Sequence, residues 1–213
     1  MSRSLSREEF FAAWSSSHGG ASITGIVKIW LNISFAITRP LIALRISPNL
    51  LSLLSIFMGI AFLASIESNW TILFLILSLL LDGIDGTVAI CTGKTSRYGA
   101  VVDAVADRLV EATWAIGLTL LGAPWQVVAG SWLAAFLQEY MRARAGGLGI
   151  GEVLIVTWAE RPIRATLIFI PLIGRLFGMD LFSIAAIFWL VLQLSSAVVL
   201  FNSLRLRLQQ SPR

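Results

Sequence analysis

Long apolar stretches separated by short polar segments dominate the chain after residue 48. Each stretch is about 20 residues long, the length an α-helix needs to cross the hydrocarbon core of a bilayer. Six such stretches can be delimited: 49–66, 70–91, 98–121, 124–145, 161–178 and 181–203. The pattern predicts an all-α integral membrane protein with six transmembrane helices. The same count places a six-helix transmembrane domain, which would carry any catalytic site, at 48–205 and a short cytoplasmic tail at 206–213.

The segment before residue 48 has a different pattern. Residues 1–20 are polar and serine-rich, and Ser6 and Glu9 stand in capping-box register ahead of Phe10, which favours a short helix. The stretch 23–46 is long enough to span a membrane, but it is interrupted by polar residues and a proline, namely Lys28, Asn32, Arg39 and Pro40. We therefore expect an N-terminal arm, 1–47, that ends in an interfacial amphipathic helix.

Composition agrees with a membrane protein. Of the 213 residues, 57% are hydrophobic and 13% are charged, and the mean hydropathy is +0.83. With both termini in the cytoplasm, all but two of the 16 basic residues lie on the inner side, the exceptions being Arg108 and Arg175. A seventh span at 23–46 would move Arg3 and Arg7 outside, so six spans are preferred. The net charge of +4 then reflects cytoplasmic loops near anionic lipids, not nucleic-acid binding.

Four aspartates interrupt the apolar pattern between residues 79 and 111: Asp82, Asp85, Asp103 and Asp107. A charged side chain at the centre of a membrane helix costs roughly 3 kcal/mol, so four without a counter-charge would cost about 10 kcal/mol. If the helices form a hairpin around Lys94, all four carboxylates lie at a similar depth, open to the cytoplasmic face. Oxygen ligands of this kind favour Mg²⁺, Mn²⁺ or Ca²⁺, and four could hold two ions.

The spacing of these residues also resembles a family signature: Asp82, two residues, Asp85, Gly86, two residues, Ala89, nine residues, Gly99, three residues, Asp103, three residues, Asp107. The chain is similar here to the CDP-alcohol phosphotransferase family, which it matches at seven of eight fixed positions. The exception is Ile90, where the family pattern has an arginine.

The resemblance implies a reaction and a set of roles. The family transfers a phosphatidyl group from a CDP-lipid such as CDP-diacylglycerol to an alcohol, and it releases CMP. Asp82, Asp85 and Asp103 would bind two Mg²⁺ or Mn²⁺ ions, and Asp107 would help bind metal and act as the base for the acceptor hydroxyl. The family also implies a homodimer.

The resemblance further implies a set of CDP-lipid contacts. The positions whose family counterparts contact the nucleotide are Gly86, Ala89, Ser96 and Gly99, and Asn49 resembles an element near the donor diphosphate. Lys94 or Arg97 could replace the arginine that is missing at Ile90, or the affinity for the nucleotide could be lower.

Four arginines flank the loop between the fourth and fifth predicted spans: Arg142, Arg144, Arg161 and Arg164. One interpretation is that they anchor the loop at the cytoplasmic surface, with Glu160 and Arg164 as an i,i+4 pair. The other is that they bind an acceptor phosphate beside the aspartates. These segments resemble the phosphatidylinositol phosphate synthase branch, which implies inositol phosphate as the acceptor and leaves glycerol phosphate as the competitor. Glu111 and Glu139 are expected to be buried partners of arginines.

Two interpretations of a different class stay open. Acidic residues inside a helical bundle can also mark a cation pathway, although the outer halves of these helices carry few polar residues to continue one. The departure at Ile90 would also suit a weakly active relative that binds CDP-lipid without efficient transfer.

Overall fold

The computed structural model describes residues 5–17, 20–149 and 156–210, and over these ranges the chain is helical and contains no strand. Eight helices occur in the described ranges: α1 Arg7–Ser17, α2 Gly25–Ala43, α3 Pro48–Ala64, α4 Trp70–Thr92, α5 Arg97–Leu120, α6 Trp125–Gly147, α7 Arg161–Leu176 and α8 Phe182–Gln210. All the helices expected from the apolar pattern are present, with starts within two residues of those predicted. The helical character of the fold prediction is confirmed.

The C-terminal end of α8 differs from the sequence prediction. Helix α8 continues to Gln210, so 206–210 of the expected tail are helical. Neither glycine nor proline occurs between Phe201 and Gln210 to end the helix. Buried Leu200 and Leu204 on this part of α8 pack against Ala145 of α6. The last three residues of the predicted tail, 211–213, lie outside the described residues.

Only some of these helices satisfy a spanning criterion by themselves. Helices α4 and α8 are long and apolar enough to cross a membrane, and α2 with α3 count as a third span if this pair, bent by 110°, is one broken span. Helix α3 has 17 residues and α7 has 16, whereas α5 carries four charged residues near its middle. The apolar helices indicate an integral membrane protein, and the count of six spans stays a prediction.

The chain divides into two compact units. The first consists of Met1–Ala61 and Leu73–Val110. In it, buried Phe10 of α1 stacks on Phe35 of α2, with ring centroids 5.5 Å apart, and packs with Leu31 and Cys91. A second cluster joins α3 to α4 through Leu51, Ile84 and Val88. The α1 capping box predicted from the sequence is present: the backbone N–H of Ser6 donates to Glu9 at 2.6 Å, and that of Glu9 donates to the Ser6 hydroxyl at 3.2 Å.

The second unit consists of Phe62–Ile72 and Glu111–Arg213. Helix α6 packs along α8, and α7 also packs on α8. Polar side chains link these helices where both faces are buried. Gln193 of α8 donates to Gln138 of α6 at 2.8 Å, and Gln138 donates to the Thr157 hydroxyl in the α6–α7 loop at 3.1 Å. The hydrogen bonds hold the described end of that loop against the two helices.

Candidate functional site

Three of the four predicted aspartates form one cluster in the first unit. Each of Asp82 on α4 and Asp103 and Asp107 on α5 offers a carboxylate oxygen, and these oxygens lie within 4.8 Å of one another. Helices α4 and α5 form a hairpin with a turn of only four residues. Residues at similar distances from this turn therefore face each other across the two helices. Arg108 lies beside the cluster, its guanidinium 3.8 Å from the Asp107 carboxylate.

The fourth aspartate, Asp85, lies apart from that set of three ligand atoms. It is buried, and the hydroxyl of Ser52 on α3 donates to its carboxylate at 2.5 Å. The charges of Asp103 and Asp107 act on it, so it belongs to the same acidic region. Ser52 was not predicted as a site residue. The only indication of its role in the sequence is that it follows Asn49 by one helical turn on α3, and this position does not identify Asp85 as its partner.

A cavity of about 230 Å³ adjoins the aspartates. We call it the α3–α5 cavity. All five residues that the resemblance assigns to CDP-lipid binding line it, together with Ser52, Asp85 and Asp103: the five are Asn49, Gly86, Ala89, Ser96 and Gly99. The structure therefore brings these positions together around one space, and their contact with a nucleotide stays a prediction.

Local turn chemistry builds the wall of this cavity. Gly93, at φ 65°, ends α4, and the N–H of Lys94 returns to the carbonyl of Ala89 at 2.9 Å. Ser96 then caps α5, since its hydroxyl accepts the N–H of Gly99 at 2.9 Å. A Cβ on Gly99 would lie 3.1 Å from the Ser96 Oγ and 3.4 Å from the Asn49 Oδ1. Glycine at this position allows the two polar side chains to approach α5.

Two features of the cavity bear on the missing family arginine. Ile90 lines the cavity where that arginine would stand, and Lys94 lines it as well. Arg97, the other suggested replacement, is not among the lining residues. Of the two alternatives, Lys94 is the cation that the structure places at the cavity.

The second unit holds the four arginines predicted to bind an acceptor phosphate. Arg164 is buried with Glu111, its Nε 2.7 Å from the Glu111 Oε1. Arg161 lies over the ring of buried Trp114, with 5.4 Å between the guanidinium carbon and the ring centroid. Arg144 is exposed near the end of α6. Convergence of these residues on the aspartates stays a prediction.

Arg142 and Glu160 form a close pair in the same unit. The guanidinium of Arg142 donates to Glu160 at 2.5 and 2.9 Å and lies 3.4 Å from Glu139. The i,i+4 pair of Glu160 and Arg164, which the anchor interpretation included, is not formed: Glu160 pairs with Arg142, and Arg164 pairs with Glu111. The expectation that Glu111 and Glu139 are buried partners of arginines is confirmed for Glu111, which pairs with Arg164. Glu139 pairs with Arg142, but it is half-buried, with 29% of its side chain exposed.

Arg142 of α6 and Thr157 of the loop set the protonation of Glu160. Burial alone would raise the pKa of Glu160, but the hydrogen bonds from Arg142 and from the N–H and hydroxyl of Thr157 outweigh it and lower the pKa below its ordinary value. Glu160 is therefore ionised over the physiological pH range. The sequence offered no signal for Thr157, because its role depends on the fold of the loop.

The donor set of the aspartate cluster fits a divalent cation. Three carboxylate oxygens within 4.8 Å of one another repel electrostatically, and a bound cation would relieve that repulsion. They are hard oxygen ligands with no histidine among them, which suits Mg²⁺ or Mn²⁺ better than zinc. The residues that could hold such an ion are Asp82, Asp103 and Asp107.

The described residues define an all-helical protein with long apolar helices and a carboxylate cluster beside a cavity. Comparison with known proteins identifies its family. The family model for CDP-alcohol phosphatidyltransferase matches residues 45–202. The chain therefore belongs to the CDP-alcohol phosphatidyltransferase family.

Individual relatives give the same family. The archaetidylinositol phosphate synthase of Pyrococcus horikoshii is 32% identical over 160 residues, which cover 72% of this chain and 84% of that protein. The phosphatidylinositol phosphate synthase of Corynebacterium glutamicum is 30% identical over 141 residues, covering 60% of this chain and 63% of that protein. A crystal structure of the Mycobacterium tuberculosis phosphatidylinositol phosphate synthase, PgsA1, with CDP-DAG bound, aligns with a TM-score of 0.66 and 20% identity over 81% of this chain and 94% of that one. This last likeness shows a shared fold.

Proposed function

We propose that this protein transfers a phosphatidyl group from a CDP-lipid to a hydroxyl of inositol phosphate and releases CMP. The observation that carries the proposal is the position of Asp103, which belongs to the carboxylate cluster and also lines the α3–α5 cavity. A donor whose cytidine end lies in this cavity brings its diphosphate to the carboxylates. The names of the Pyrococcus and Corynebacterium relatives support a phosphoinositol product.

The reaction is a direct displacement at the β-phosphorus of the donor. The acceptor hydroxyl oxygen forms a bond to that phosphorus, and the bond from the phosphorus to the bridging oxygen breaks, which releases CMP. Asp107 takes the proton of the hydroxyl. Divalent cations bound by Asp82, Asp85, Asp103 and Asp107 would neutralise the diphosphate oxygens and stabilise the charge on the leaving group. The proposal includes two Mg²⁺ or Mn²⁺ ions.

The chain's own residues hold the donor. Gly86 leaves open space beside α4, since a Cβ built there has no atom within 4 Å. Ala89 and Gly99 line the cavity with small residues that leave room for the donor. Asn49, Ser96 and Lys94 line it with polar groups that could bind the nucleotide. Ser52 holds the Asp85 carboxylate in place from α3.

For the acceptor, we propose that its phosphate is bound by Arg142, Arg144, Arg161 and Arg164. Guanidinium groups suit bidentate phosphate binding. Arg144 is exposed, and the guanidinium of Arg161 stacks over the ring of Trp114. We expect these two side chains to move least when a phosphate binds. Arg142 would exchange its bonds to Glu160 for bonds to phosphate. Arg164 would act from within its pair with Glu111 and hold the start of α7.

The topology belongs to the same proposal. Helices α3 to α8 cross the membrane, and both termini and the α3–α5 cavity face the cytoplasm, as the distribution of basic residues favours. The bend of 110° between α2 and α3 suits an α2 that lies along the membrane surface before α3 enters it. The protein is proposed to act as a homodimer.

The test is CMP release by the purified protein from CDP-diacylglycerol, and separately from its archaeol analogue. Inositol phosphate, glycerol phosphate, inositol and serine are offered one at a time, with Mg²⁺, with Mn²⁺ or with a chelator. We expect turnover with inositol phosphate, lost on chelation, and a fall of at least about a hundred-fold in Asp107→Asn. Asp180→Asn, in the α7–α8 loop and outside the site, is the matched control.

Each other result has a defined meaning. Preference for glycerol phosphate would overturn the acceptor assignment and leave the transfer chemistry intact. An Asp107→Asn variant as active as Asp180→Asn would overturn the role of Asp107. Absence of turnover with all four acceptors and both donors would overturn the proposed reaction and favour a binding protein.

A further inference from the structure

A second cavity, of about 690 Å³, lies in the first unit between α1, α2 and the end of α4. We call it the α1–α2 cavity. It shares no lining residue with the α3–α5 cavity, and neither the family signature nor the proposed transfer reaction uses it. Its volume is within the range of small-molecule sites in proteins, about 300 to 1,000 Å³. It is far larger than inorganic phosphate requires.

The polar residues of the α1–α2 cavity suit an anionic group. Arg7 of α1 and Arg39 of α2 line it, both are exposed, and within the described residues neither has a hydrogen bond or ion pair. Glu9 also lines the cavity, but its carboxylate accepts the N–H of Ser6 and caps α1. With two arginines and one carboxylate among its charged residues, the lining of the cavity carries a net positive charge.

A buried hydroxyl gives a second, independent sign of a ligand. Thr38 lines the same cavity, its side chain is 1% exposed, and its Oγ1 has no hydrogen-bond partner within the described residues. A buried hydroxyl left in this state is destabilising by about 1 to 3 kcal/mol in general. By contrast, the buried hydroxyl of Ser34, one helical turn earlier, has a partner, because it donates to the Leu31 carbonyl at 3.2 Å. Thr38 is therefore placed to donate to an oxygen within the cavity.

The rest of the wall is apolar. Phe35 and Ile42 of α2 and Cys91 of α4 line it, and all three belong to the cluster that packs α1 against α2. A site with guanidinium groups at its opening, one hydroxyl inside and a hydrocarbon wall matches a molecule with a phosphate and an acyl chain. If α2 lies along the membrane surface, the opening is at the level of the lipid headgroups, where arginines attract anionic lipid.

We propose that the α1–α2 cavity binds an anionic phospholipid as a structural ligand, distinct from the CDP-lipid substrate. The phosphate lies on Arg7 and Arg39, the hydroxyl of Thr38 donates to a phosphate or ester oxygen, and an acyl chain covers Phe35 and Ile42. Because α1 forms one side of the cavity, the bound lipid fastens the N-terminal arm to α2. The proposal does not depend on the transfer reaction.

The test is lipid retention by the full-length protein, measured by native mass spectrometry from micelles that contain phosphatidylglycerol or phosphatidylcholine. We expect one phosphatidylglycerol to be retained in preference to phosphatidylcholine. Arg7→Ala/Arg39→Ala should weaken that retention by about thirty-fold, since each basic residue near an anionic lipid contributes a factor of about five. The control, Arg205→Ala/Arg207→Ala near the end of α8, removes the same charge and should retain the lipid.

A second variant separates binding from folding. Thr38→Val keeps the shape of the side chain and removes the buried hydroxyl, so it should raise the unfolding temperature of the lipid-free protein and still weaken phosphatidylglycerol retention. Equal retention by the Arg7/Arg39 and Arg205/Arg207 variants would overturn the proposal. Displacement of the lipid by millimolar inorganic phosphate would also overturn it, because the site would then bind free phosphate.

Discussion

Glu111 and Arg164 form an ion pair that is closed to solvent, with side-chain exposures of 0% and 1% and 2.6 Å between Arg164 Nη2 and Glu111 Oε1. A second nitrogen of Arg164 donates to the Ala159 carbonyl at 2.7 Å, which ties the α6–α7 loop to the start of α7. The pair therefore connects α5, α7 and the loop inside the second unit. If one partner is removed, the other stays buried without a counter-charge, which destabilises the folded protein.

Removal of one partner should destabilise the protein strongly. We expect Arg164→Met to lower the free energy of unfolding by about 3 to 5 kcal/mol, because the Glu111 carboxylate stays buried without its counter-charge. Thermal unfolding of the detergent-solubilised protein measures the change. Arg144→Met removes an exposed arginine and should leave the unfolding midpoint nearly unchanged. Arg164→Met/Glu111→Leu should recover much of the loss, and a double variant as unstable as the single one would contradict the explanation.

Two glycines in the aspartate motif should respond differently to the same substitution. A Cβ on Gly86 would meet no atom within 4 Å, whereas a Cβ on Gly83 would lie 2.6 Å from the ring of Trp30. We expect Gly86→Ala to keep the unfolding temperature and to raise the KM for CDP-lipid, since the methyl group projects into the α3–α5 cavity. Gly83→Ala should lower the unfolding temperature. Unchanged KM in Gly86→Ala would argue against nucleotide binding at this wall.

Restoration of the missing family arginine should strengthen donor binding. Ile90 and Lys94 both line the α3–α5 cavity. We expect Ile90→Arg to lower the KM for CDP-lipid and Lys94→Ala to raise it, each by about three- to tenfold, as one charged contact to a phosphate is gained or lost. Steady-state kinetics at saturating acceptor measures both. Ile90→Met is the control for side-chain size. If Ile90→Arg has the same KM for CDP-lipid as Ile90→Met, an arginine at this position does not strengthen donor binding and the prediction fails.

The pair of Arg142 and Glu160 should give a pH-dependent contribution to stability. The folded-state pKa of Glu160 lies below its ordinary value of 4.5, so the pair stabilises fully above that pH and loses its contribution as the pH falls through the folded-state pKa. Thermal unfolding of the wild type and of Glu160→Gln, compared from pH 7 to pH 3, measures it. We expect the difference in midpoint to be largest near pH 7 and to shrink below pH 4.5. A constant difference would show that packing, not charge, is lost.

The sequence by itself determined the helices and the acidic cluster of this protein. Apolar stretches of bilayer length must form helices, because no other open structure satisfies the backbone hydrogen bonds in lipid. The spacing of the four aspartates around a short turn predicted that all four carboxylates lie together, and three of them do: Asp82, Asp103 and Asp107. Packing against α3 decided that Asp85 pairs with Ser52 instead. The turn chemistry at Gly93 and Ser96, and the capping box at Ser6, are likewise local and readable.

Only the tertiary structure decided which side chains pair across helices. The sequence predicted that Glu111 pairs with an arginine and that Glu160 and the four arginines flank the α6–α7 loop, but the actual partners came from the packing of α5, α6, α7 and the loop. The sequence specified no partner for Ser52, which contacts Asp85 on another helix, or for Thr157, whose contact with Glu160 depends on the fold of the α6–α7 loop. Spacing specifies which residues share a helix face, whereas the choice of facing partner depends on the summed packing of distant segments. The α1–α2 cavity exists only because of that packing.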